Sequence, residues 1–354
     1  MTSIFEPVEV GGRTLANRVV MAPMTRNRAV GPGNTPTESM ATYYAQRAGA
    51  GLIVTEGTQP SAVGQGYPFT PGLHSDEQVQ AWRAVTDAVH ARGGVIFAQI
   101  MHAGRISHPT LLPDVLHPVG PSPVAAAGQV FTGDGMKDFV EPIALDEHGL
   151  AETKAAFVDA ARNAIAAGFD GVEVHGANGY LLHQFLSTNA NQRTDAYGGS
   201  VEGRTRFPVE VTAAIADAIG AQNTGLRISP ANPFNDIVED GYRDTYTALV
   251  DAVAPLGLAY LHLAETVDRD LTVDLRKRFG GTFVLNPATP GGFTGPEHAA
   301  LVEEGVADLV SFGQLYLANP DLPERLRAGG PFNPADKATF YGGTDTGYID
   351  YPTL

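Results

Sequence analysis

The sequence contains no cysteine. This absence excludes disulfide bonds, thiolate nucleophiles, cysteine-ligated zinc and cysteine-held iron–sulfur clusters. The sequence also lacks any run of roughly 18 to 20 consecutive apolar residues, the length that a membrane-spanning helix needs. Residues 1–10 carry acidic side chains and no apolar stretch, so we expect no signal peptide there.

Basic residues are scarce as well. The chain has 23 Lys and Arg against 39 Asp and Glu, which gives a formal net charge of −16. Nucleic acids and anionic membranes are bound mainly through clustered Lys and Arg, so we expect neither as a partner. We expect a cytoplasmic protein that acts on small molecules, as a monomer or a small homo-oligomer.

One pattern recurs along the chain: a short apolar run, a glycine-rich or polar corner, and an amphipathic helix. The runs do not alternate strictly between apolar and polar residues, which is typical of parallel strands buried on both faces. Eight such units predict an α/β fold, a single (β/α)8 TIM barrel formed by residues 1–354. The predicted strands are Arg18–Ala22, Leu52–Glu56, Gly94–Ile100, Gly171–His175, Leu226–Ser229, Ala259–Ala264, Thr282–Asn286 and Asp308–Gly313.

Helical spacing of apolar residues, with glycine near the end of each segment, predicts the helices between these strands. They are Glu77–Arg92, Glu147–Ala167, Arg204–Ile219, Tyr246–Leu256 and Pro296–Glu304. Thr294 is the predicted N-cap of the last of these helices.

One segment, 102–142, interrupts the alternation after the third strand and is rich in Pro, Gly and His. So long an insertion in a compact domain is usually functional or disordered. Two interpretations remain open: a hairpin strand within 131–140 that caps the barrel mouth, or a mobile surface loop.

Active sites of (β/α)8 barrels form at the carboxyl ends of the strands, and phosphate groups commonly bind after strands 7 and 8. The predicted loop 286–294 contains Gly291 and Gly292, whose backbone N–H groups can turn toward an anion. This position favours a phosphorylated ligand, although glycine-rich loops are also common without one.

Two polar side chains at strand ends need partners. Arg227 would require a carbonyl, carboxylate or phosphate at the mouth, unless it forms a structural ion pair. Gln99 offers a donor and an acceptor together, which suits the amide-like edge of a heterocycle.

His175, Asn178 and Tyr180 follow the fourth strand almost consecutively. Two neutral donors that meet at one point can stabilise the oxygen of a developing enolate or nitronate. A nearby phenol can then deliver a proton.

The sequence resembles the Old Yellow Enzyme family almost from end to end. The most specific matches are His175-Gly176-Ala177-Asn178-Gly179-Tyr180-Leu181-Leu182-His183-Gln184-Phe185-Leu186 and Asn191-Gln192-Arg193-Thr194-Asp195-Ala196-Tyr197-Gly198-Gly199-Ser200. Further matches are Ala22-Pro23-Met24-Thr25-Arg26, Asn319-Pro320-Asp321-Leu322, Phe340-Tyr341-Gly342-Gly343 and Tyr348-Ile349-Asp350-Tyr351-Pro352.

The resemblance implies a non-covalent FMN at the barrel mouth, with NADPH or NADH as reductant and no metal. The residues implied to line the isoalloxazine ring are Pro23, Met24, Thr25, Gly57, Gln99 and Arg227, with His175 and Asn178 also beside the cofactor. Those implied to hold the phosphate are Gly291, Gly292, Phe293, Gly313 and Gln314. Those implied to bind substrate are Thr25, Met101, His175, Asn178, Tyr180, Asn235 and Tyr341.

The resemblance also implies a reaction. Flavin N5 gives hydride to the β-carbon of an activated alkene, Tyr180 protonates the α-carbon, and nicotinamide reloads the flavin by ping-pong kinetics. The implied substrates are α,β-unsaturated carbonyls and nitroalkenes, with nitrate esters as a further candidate class. Thr25 is typical of the yeast and enterobacterial branch, because the thermophilic-like branch usually has cysteine there.

Three positions depart from the family pattern. Met101 stands where this branch often has tryptophan, which predicts a roomier or differently shaped pocket. Gln314 replaces an arginine that usually pairs with the phosphate, which predicts weaker FMN binding unless the loop 286–293 compensates. Gly203 replaces a common asparagine.

Three other functions share some of these sequence features. A zinc-dependent barrel hydrolase could use His102, His175 and His262, but the sequence lacks a paired His-x-His motif and a carboxylate after strand 8. A dienoyl-CoA reductase of this barrel type needs cysteines for its cluster. A flavin-binding protein without activity would be consistent with Gln314, but not with intact His175, Asn178 and Tyr180.

Overall fold

A computed structural model describes residues 2–114 and 116–354. Met1, and Val115 within the predicted excursion 102–142, lie outside the described residues. Eight parallel strands pair in sequence order, and the last pairs with the first to close a barrel. They are β1 Val19–Met21, β2 Leu52–Val54, β3 Ile96–Ile100, β4 Gly171–Gly176, β5 Thr224–Ile228, β6 Tyr260–Ala264, β7 Phe283–Asn286 and β8 Leu309–Phe312. The predicted (β/α)8 barrel is confirmed, with every predicted strand found and only its ends adjusted.

An N-terminal hairpin closes the end of the barrel opposite the mouth. Its strands, Val8–Val10 and Arg13–Leu15, pair antiparallel, and Gly11 between them abuts the segments that lead into β5 and β6. Val10 and Leu15 pack with inward-facing barrel residues that include Phe97 and Tyr260. This apolar plug leaves the carboxyl ends of the strands as the open side.

The helices surround the barrel: α1 Glu38–Gln46, α2 Asp76–His90, α3 Glu147–Ala166, α4 Leu181–Leu186, α5 Val201–Ile219, α6 Tyr242–Val253, α7 Arg269–Phe279, α8 Ala300–Glu303, α9 Gln314–Ala318 and α10 Leu322–Ala328. No helix in the described part of the chain is long and apolar enough to cross a membrane. The apolar pattern had not revealed α1, α4, α7, α9 and α10.

The helix predicted over Pro296–Glu304 is in fact a 3₁₀ turn, Pro296–Ala299, followed by α8. Its N-cap is Gly295, so the prediction of Thr294 as the cap was wrong. The Thr294 hydroxyl instead accepts a hydrogen bond from the Asn286 side chain at 3.1 Å. Thr294 is thus used to tie the loop after β7 to the strand.

The glycine at position 203 is explained by steric crowding, which the sequence did not reveal. It lies in the first turn of α5, where its N–H donates to the Ser200 hydroxyl at 3.1 Å. A Cβ at this position would lie 2.1 Å from the carbonyl oxygen of Gly198. The tight entry to α5 therefore excludes a side chain.

The excursion after β3 contains an ordered hairpin, formed by Gln129–Phe131 and Met136–Asp138. Ala126 and Phe139 on either side of it pack against Met101 and Tyr180, which places the excursion over the mouth. The capping interpretation is therefore confirmed, although the turn falls within the segment 131–140 that was predicted as one strand. Val119–Gly120 and Ile143–Ala144 pair in parallel at the base of the excursion.

Three buried arginines fasten the C-terminal segment beside the loop after β1. Arg26 Nε donates to the Phe340 carbonyl at 2.9 Å, and Arg28 Nε to that of Thr344 at 3.0 Å. Arg47 lies with its guanidinium 3.8 Å from the centre of the Tyr43 ring, and its Nη2 donates to the Tyr348 carbonyl at 3.4 Å. These contacts carry the stretch around residue 341 to the barrel mouth.

A buried carboxyl group, Glu56, supports the same loop. It follows β2, is 1% exposed, and accepts hydrogen bonds from the Arg26 N–H and the Tyr44 hydroxyl, each at 3.4 Å. Burial raises the pKa of Glu56 to about 7, although the hydrogen bond and charge of Arg26 oppose the shift. Glu56 therefore titrates near neutral pH while it touches the loop that carries Thr25.

This raised pKa predicts a pH-dependent stability difference between the parent and Glu56→Gln. Between pH 5 and 7 the Glu56 carboxyl of the folded protein still holds a proton that the unfolded chain has lost. The stability that this bound proton contributes is therefore present at low pH and disappears as pH rises through about 7. Relative to the parent, Glu56→Gln should gain roughly 2–3 kcal/mol of unfolding free energy between pH 5 and 8.

Urea denaturation at both pH values measures this difference, with Glu303→Gln as the control because Glu303 is exposed on α8. A difference for Glu56→Gln that does not change with pH would contradict the assignment.

Candidate functional site

A polar cavity lies at the carboxyl ends of the strands, on the β4, β5, β7 and β8 side of the mouth. It measures about 330 Å³. The predicted site residues that line it are Asn178, Arg227, Phe293, Gly313 and Gln314, and Asn286 and Thr294 join them. Gly291 and Gly292 lie on the exposed part of the same loop, where Gly291 adopts a positive φ of 75°. Of the five residues predicted for phosphate binding, Phe293, Gly313 and Gln314 thus line this cavity.

Arg227 brings a buried positive charge to this cavity. It is 5% exposed, and its Nη2 donates to Asn286 Oδ1 at 3.3 Å. Its Nε has no hydrogen-bond partner among the described residues. Burial lowers the pKa of Arg227 and the nearby Glu173 opposes the shift, but a guanidinium remains charged at neutral pH. A buried cation with an unpartnered donor fits an anionic or carbonyl-rich ligand such as FMN.

Glu173 in β4 lies behind Arg227, and sequence reasoning missed it. Its Oε1 accepts from Gln99 Nε2 at 2.8 Å, and its Oε2 accepts from the Tyr260 hydroxyl at 3.1 Å and from His262 Nδ1 at 2.8 Å. Burial raises the pKa of Glu173, but His262, Arg227 and Gln99 outweigh burial and lower it overall. A glutamate inside an otherwise apolar strand was the signal that could have revealed this group.

The Glu173 carboxylate fixes the Gln99 side chain. A carboxylate only accepts hydrogen bonds, so the Gln99 amide must turn its NH₂ group toward it. The Gln99 carbonyl oxygen and second N–H remain for a ligand. The predicted match of Gln99 to an amide-like edge is consistent with this orientation.

Two of the histidines named as candidate zinc ligands, His102 and His262, form hydrogen bonds within the protein instead. His262 is fully buried, and its two ring nitrogens contact Glu173 and the Ser311 hydroxyl, the latter at 2.9 Å. His102 Nδ1 accepts from the N–H of Gly104 at 3.0 Å. Within residues 2–114 and 116–354, no group of three or more His, Cys, Asp or Glu is arranged to hold a metal ion.

His175 and Asn178 both present N–H donors. His175 Nδ1 accepts from the Ala177 N–H at 3.2 Å, which places the ring proton on Nε2. Burial and the charge of Arg227 lower the pKa of His175 well below its usual value, so the ring is neutral. Asn178 Oδ1 accepts from Asn232 Nδ2 at 3.0 Å, which leaves the Asn178 amide NH₂ as a donor.

Asn178 holds its position through a left-handed backbone with φ 55°. Its N–H donates to the Ser229 hydroxyl at 2.8 Å, and its carbonyl accepts from Asn235 Nδ2 at 2.8 Å. Asparagine tolerates this backbone region better than most residues. Asn235, predicted as a substrate residue, therefore also supports Asn178.

Tyr180 lies beside His175. Its ring centroid is 5.1 Å from that of His175, and its hydroxyl oxygen is 3.0 Å from the Tyr67 hydroxyl oxygen. Burial raises the pKa of Tyr180 well above its usual value, so the phenol is protonated at neutral pH. Tyr67, in the loop after β2, was not predicted, because no sequence pattern pairs it with Tyr180.

The remaining predicted residues border the mouth. Pro23, Met24 and Thr25 form a half-buried loop after β1. A Cβ on Gly57 would lie 2.6 Å from Met101 Sδ, so the glycine is required for Met101 to occupy its place. Met101 packs against Tyr180, whereas Tyr341 is 70% exposed at the rim.

Comparisons with known proteins identify the family of the chain. The family model described as NADH:flavin oxidoreductase / NADH oxidase family matches residues 3–333. A probable flavin mononucleotide-dependent alkene reductase of Leishmania infantum is 43% identical, over 99% of this chain and 97% of that protein. The 12-oxophytodienoate reductase 1 of Oryza sativa subsp. japonica is 40% identical, over 99% of this chain and 93% of that protein.

Solved structures show the same relationship. The old yellow enzyme homologue from Zymomonas mobilis superposes with a TM-score of 0.95 and 39% identity, over 100% of both chains. Morphinone reductase in complex with tetrahydroNAD gives a TM-score of 0.94 and 40% identity, over 100% of this chain and 98% of that chain. The chain therefore belongs to the NADH:flavin oxidoreductase / NADH oxidase family, and it is an FMN-dependent oxidoreductase of the Old Yellow Enzyme, or ene-reductase, type.

Proposed function

We propose that the protein reduces the C=C bond of activated alkenes at this barrel mouth, with bound FMN and with NADPH or NADH as the reductant. The observation that carries the proposal is the placement of two neutral donors, His175 and Asn178, and the protonated phenol of Tyr180 at the carboxyl end of β4, with the His175 and Tyr180 rings 5.1 Å apart. This set suits an alkene conjugated to an oxygen-bearing group. The substrates proposed are α,β-unsaturated carbonyls and nitroalkenes, with nitrate esters as a further class.

The residues around the cavity would hold FMN in two parts. Pro23, Met24, Thr25, Gly57, Gln99 and Arg227 would line the isoalloxazine ring. Gly291, Gly292, Phe293, Gly313 and Gln314 would hold the phosphate. The unpartnered Nε of buried Arg227 supports this placement, because a ligand acceptor would satisfy it. Bound FMN supplies the chemistry of hydride transfer, from nicotinamide and then to the β-carbon of the alkene.

The chain's own residues would prepare the substrate for that transfer. The His175 Nε2–H and the Asn178 NH₂ donate to the substrate oxygen and stabilise the negative charge that develops there. Tyr180 holds the proton for the α-carbon. Met101, Thr25, Asn235 and Tyr341 shape the space around the alkene.

A ping-pong order of the two half-reactions is expected because nicotinamide and alkene would occupy the same part of the mouth. Nicotinamide and alkene both need access to the same reactive face, and the excursion and the C-terminal segment narrow the mouth around it. Morphinone reductase has been captured in complex with tetrahydroNAD, which supports nicotinamide binding in this fold. We propose that the oxidised nicotinamide leaves before the alkene binds.

Gln314→Arg should tighten FMN binding. Gln314 lines the cavity beside Gly313, and an arginine there would give the phosphate a charge-assisted contact in place of a neutral one. The gain should be about 1 kcal/mol, or roughly a five- to tenfold fall in the FMN dissociation constant. Fluorescence titration of apoprotein with FMN measures this constant.

Gln80→Arg is the control, because it adds the same charge on the exposed face of α2 and should leave the constant unchanged. No change with Gln314→Arg would show that the loop after β7 already satisfies the phosphate.

Tyr180→Phe should separate the two half-reactions. It removes the acid and keeps the ring, so flavin reoxidation by 2-cyclohexenone should slow by roughly 10² to 10⁴, the usual contribution of a general acid. Flavin reduction by nicotinamide needs no proton from this phenol and should keep the parent rate. Flavin reoxidation by nitroalkenes should slow less, because a nitronate is stable enough to leave the enzyme and be protonated by water.

Stopped-flow absorbance of the flavin follows both half-reactions. Reoxidation of Tyr180→Phe by cyclohexenone at the parent rate would rule out Tyr180 as the proton donor.

A further inference from the structure

The Tyr180 phenol has a second phenol as its hydrogen-bond partner. The two hydroxyl oxygens of Tyr67 and Tyr180 are 3.0 Å apart, and their rings meet edge to face with centroids 6.4 Å apart. Either oxygen can donate in this contact, so the pair can pass a proton in either direction.

Tyr67 is held firmly in this position. Its carbonyl oxygen accepts from Gln65 Nε2 and from the Thr70 hydroxyl, each at 3.0 Å. Apolar residues that include Met101 and Ala126 pack against the pair. The contact is thus fixed by the fold rather than by a mobile surface side chain.

The two phenols differ in their access to water. Tyr180 is only 7% exposed, whereas Tyr67 is half-buried at the mouth. Tyr180 must recover a proton after every turnover, and its burial leaves little direct contact with solvent. Tyr67 is thus the more exposed of the two residues, and its hydroxyl contacts the buried Tyr180 oxygen.

Asn235 acts on both phenols of the pair. Its amide donates to the Asn178 carbonyl, and it also acts on both phenols, where its hydrogen bonding lowers their pKa. Burial nevertheless raises the pKa of each phenol, and more strongly for Tyr180. A transient negative charge is therefore more easily held on Tyr67 than on Tyr180.

We propose that Tyr67 acts through Tyr180 as a proton relay: it donates to the Tyr180 oxygen as that group loses its proton, and it returns a proton from solvent. This inference rests on the proposed role of Tyr180 as the acid.

The proton balance closes without any further reactant. The Tyr180 O–H bond breaks as a C–H bond forms at the α-carbon, and the electron pair stays on the phenolate oxygen. The Tyr67 O–H then gives its proton to that oxygen, and a water molecule at the mouth reprotonates Tyr67. The net proton comes from solvent.

Tyr67→Phe tests the relay in the FMN-loaded enzyme. Loss of a hydrogen bond to a developing phenolate should slow reoxidation by 2-cyclohexenone by roughly ten- to a hundredfold. Reduction by nicotinamide should stay within about twofold of the parent, and so should reoxidation by 1-nitrocyclohexene, which needs no enzymic proton. A merely structural role would slow all three reactions together, and that result would overturn the proposal.

Tyr242→Phe is the matched control. Tyr242 is also half-buried, and its hydroxyl donates to a side chain, Asp268 Oδ2, at 2.8 Å, away from the mouth. It should leave reoxidation by cyclohexenone unchanged. An equal loss in both variants would overturn the specific role of Tyr67.

The double variant Tyr67→Phe/Tyr180→Phe separates this inference from the proposed function. If Tyr67 works through Tyr180, adding Tyr67→Phe to Tyr180→Phe should cause no further loss of the cyclohexenone rate. A further loss would overturn the relay while leaving Tyr180 as the acid. Parent-like reoxidation in Tyr180→Phe alone would instead remove the acid assignment on which the relay rests.

Discussion

The ionised carboxyl group of Glu173 inside the barrel wall constrains the rest of the site. A buried carboxylate is tolerated only when its oxygens are satisfied. Here Gln99, Tyr260 and His262 satisfy them, and Arg227 supplies the nearby positive charge. The interaction joins β3, β4 and β6, and His262 extends it to Ser311 in β8. Polar side chains at the mouth are thereby oriented by the barrel itself, before any ligand is bound.

This arrangement gives the mouth two kinds of surface. On one side, the buried cation Arg227 lines a polar cavity, which suits the phosphate and the carbonyl-rich edge of FMN. Around His175 and Asn178 lie neutral donors, because burial lowers the pKa of the histidine. Burial has the opposite consequence for Tyr180, whose raised pKa keeps it protonated. One physical cause, removal from water, thus keeps the histidine neutral and the phenol protonated.

Much of this could be predicted from the sequence. Strands such as Gly171–His175 are short apolar runs between glycine corners, so the barrel and the positions of the strand ends followed from local pattern. Polar residues just after those ends, such as Asn178 and Tyr180, were therefore placed at the mouth. Three of the predicted phosphate residues, Phe293, Gly313 and Gln314, line one cavity.

Other features depend on contacts between distant residues, which no local pattern records. The pairing of Glu173 with Gln99, and of Tyr67 with Tyr180, arises from packing across different strands and loops. The short helices α4 and α9 have too few turns to show periodicity. Thr294 was misassigned as a cap because its hydroxyl is used by Asn286 instead.

The cofactor content of the purified protein shows whether the barrel mouth binds a flavin. We expect a yellow protein whose visible spectrum is that of a flavin, with about one FMN per chain released intact on denaturation. The spectrum should bleach on anaerobic addition of NADPH or NADH. A colourless protein that takes up no FMN on titration would contradict the assignment of the barrel mouth as a flavin site.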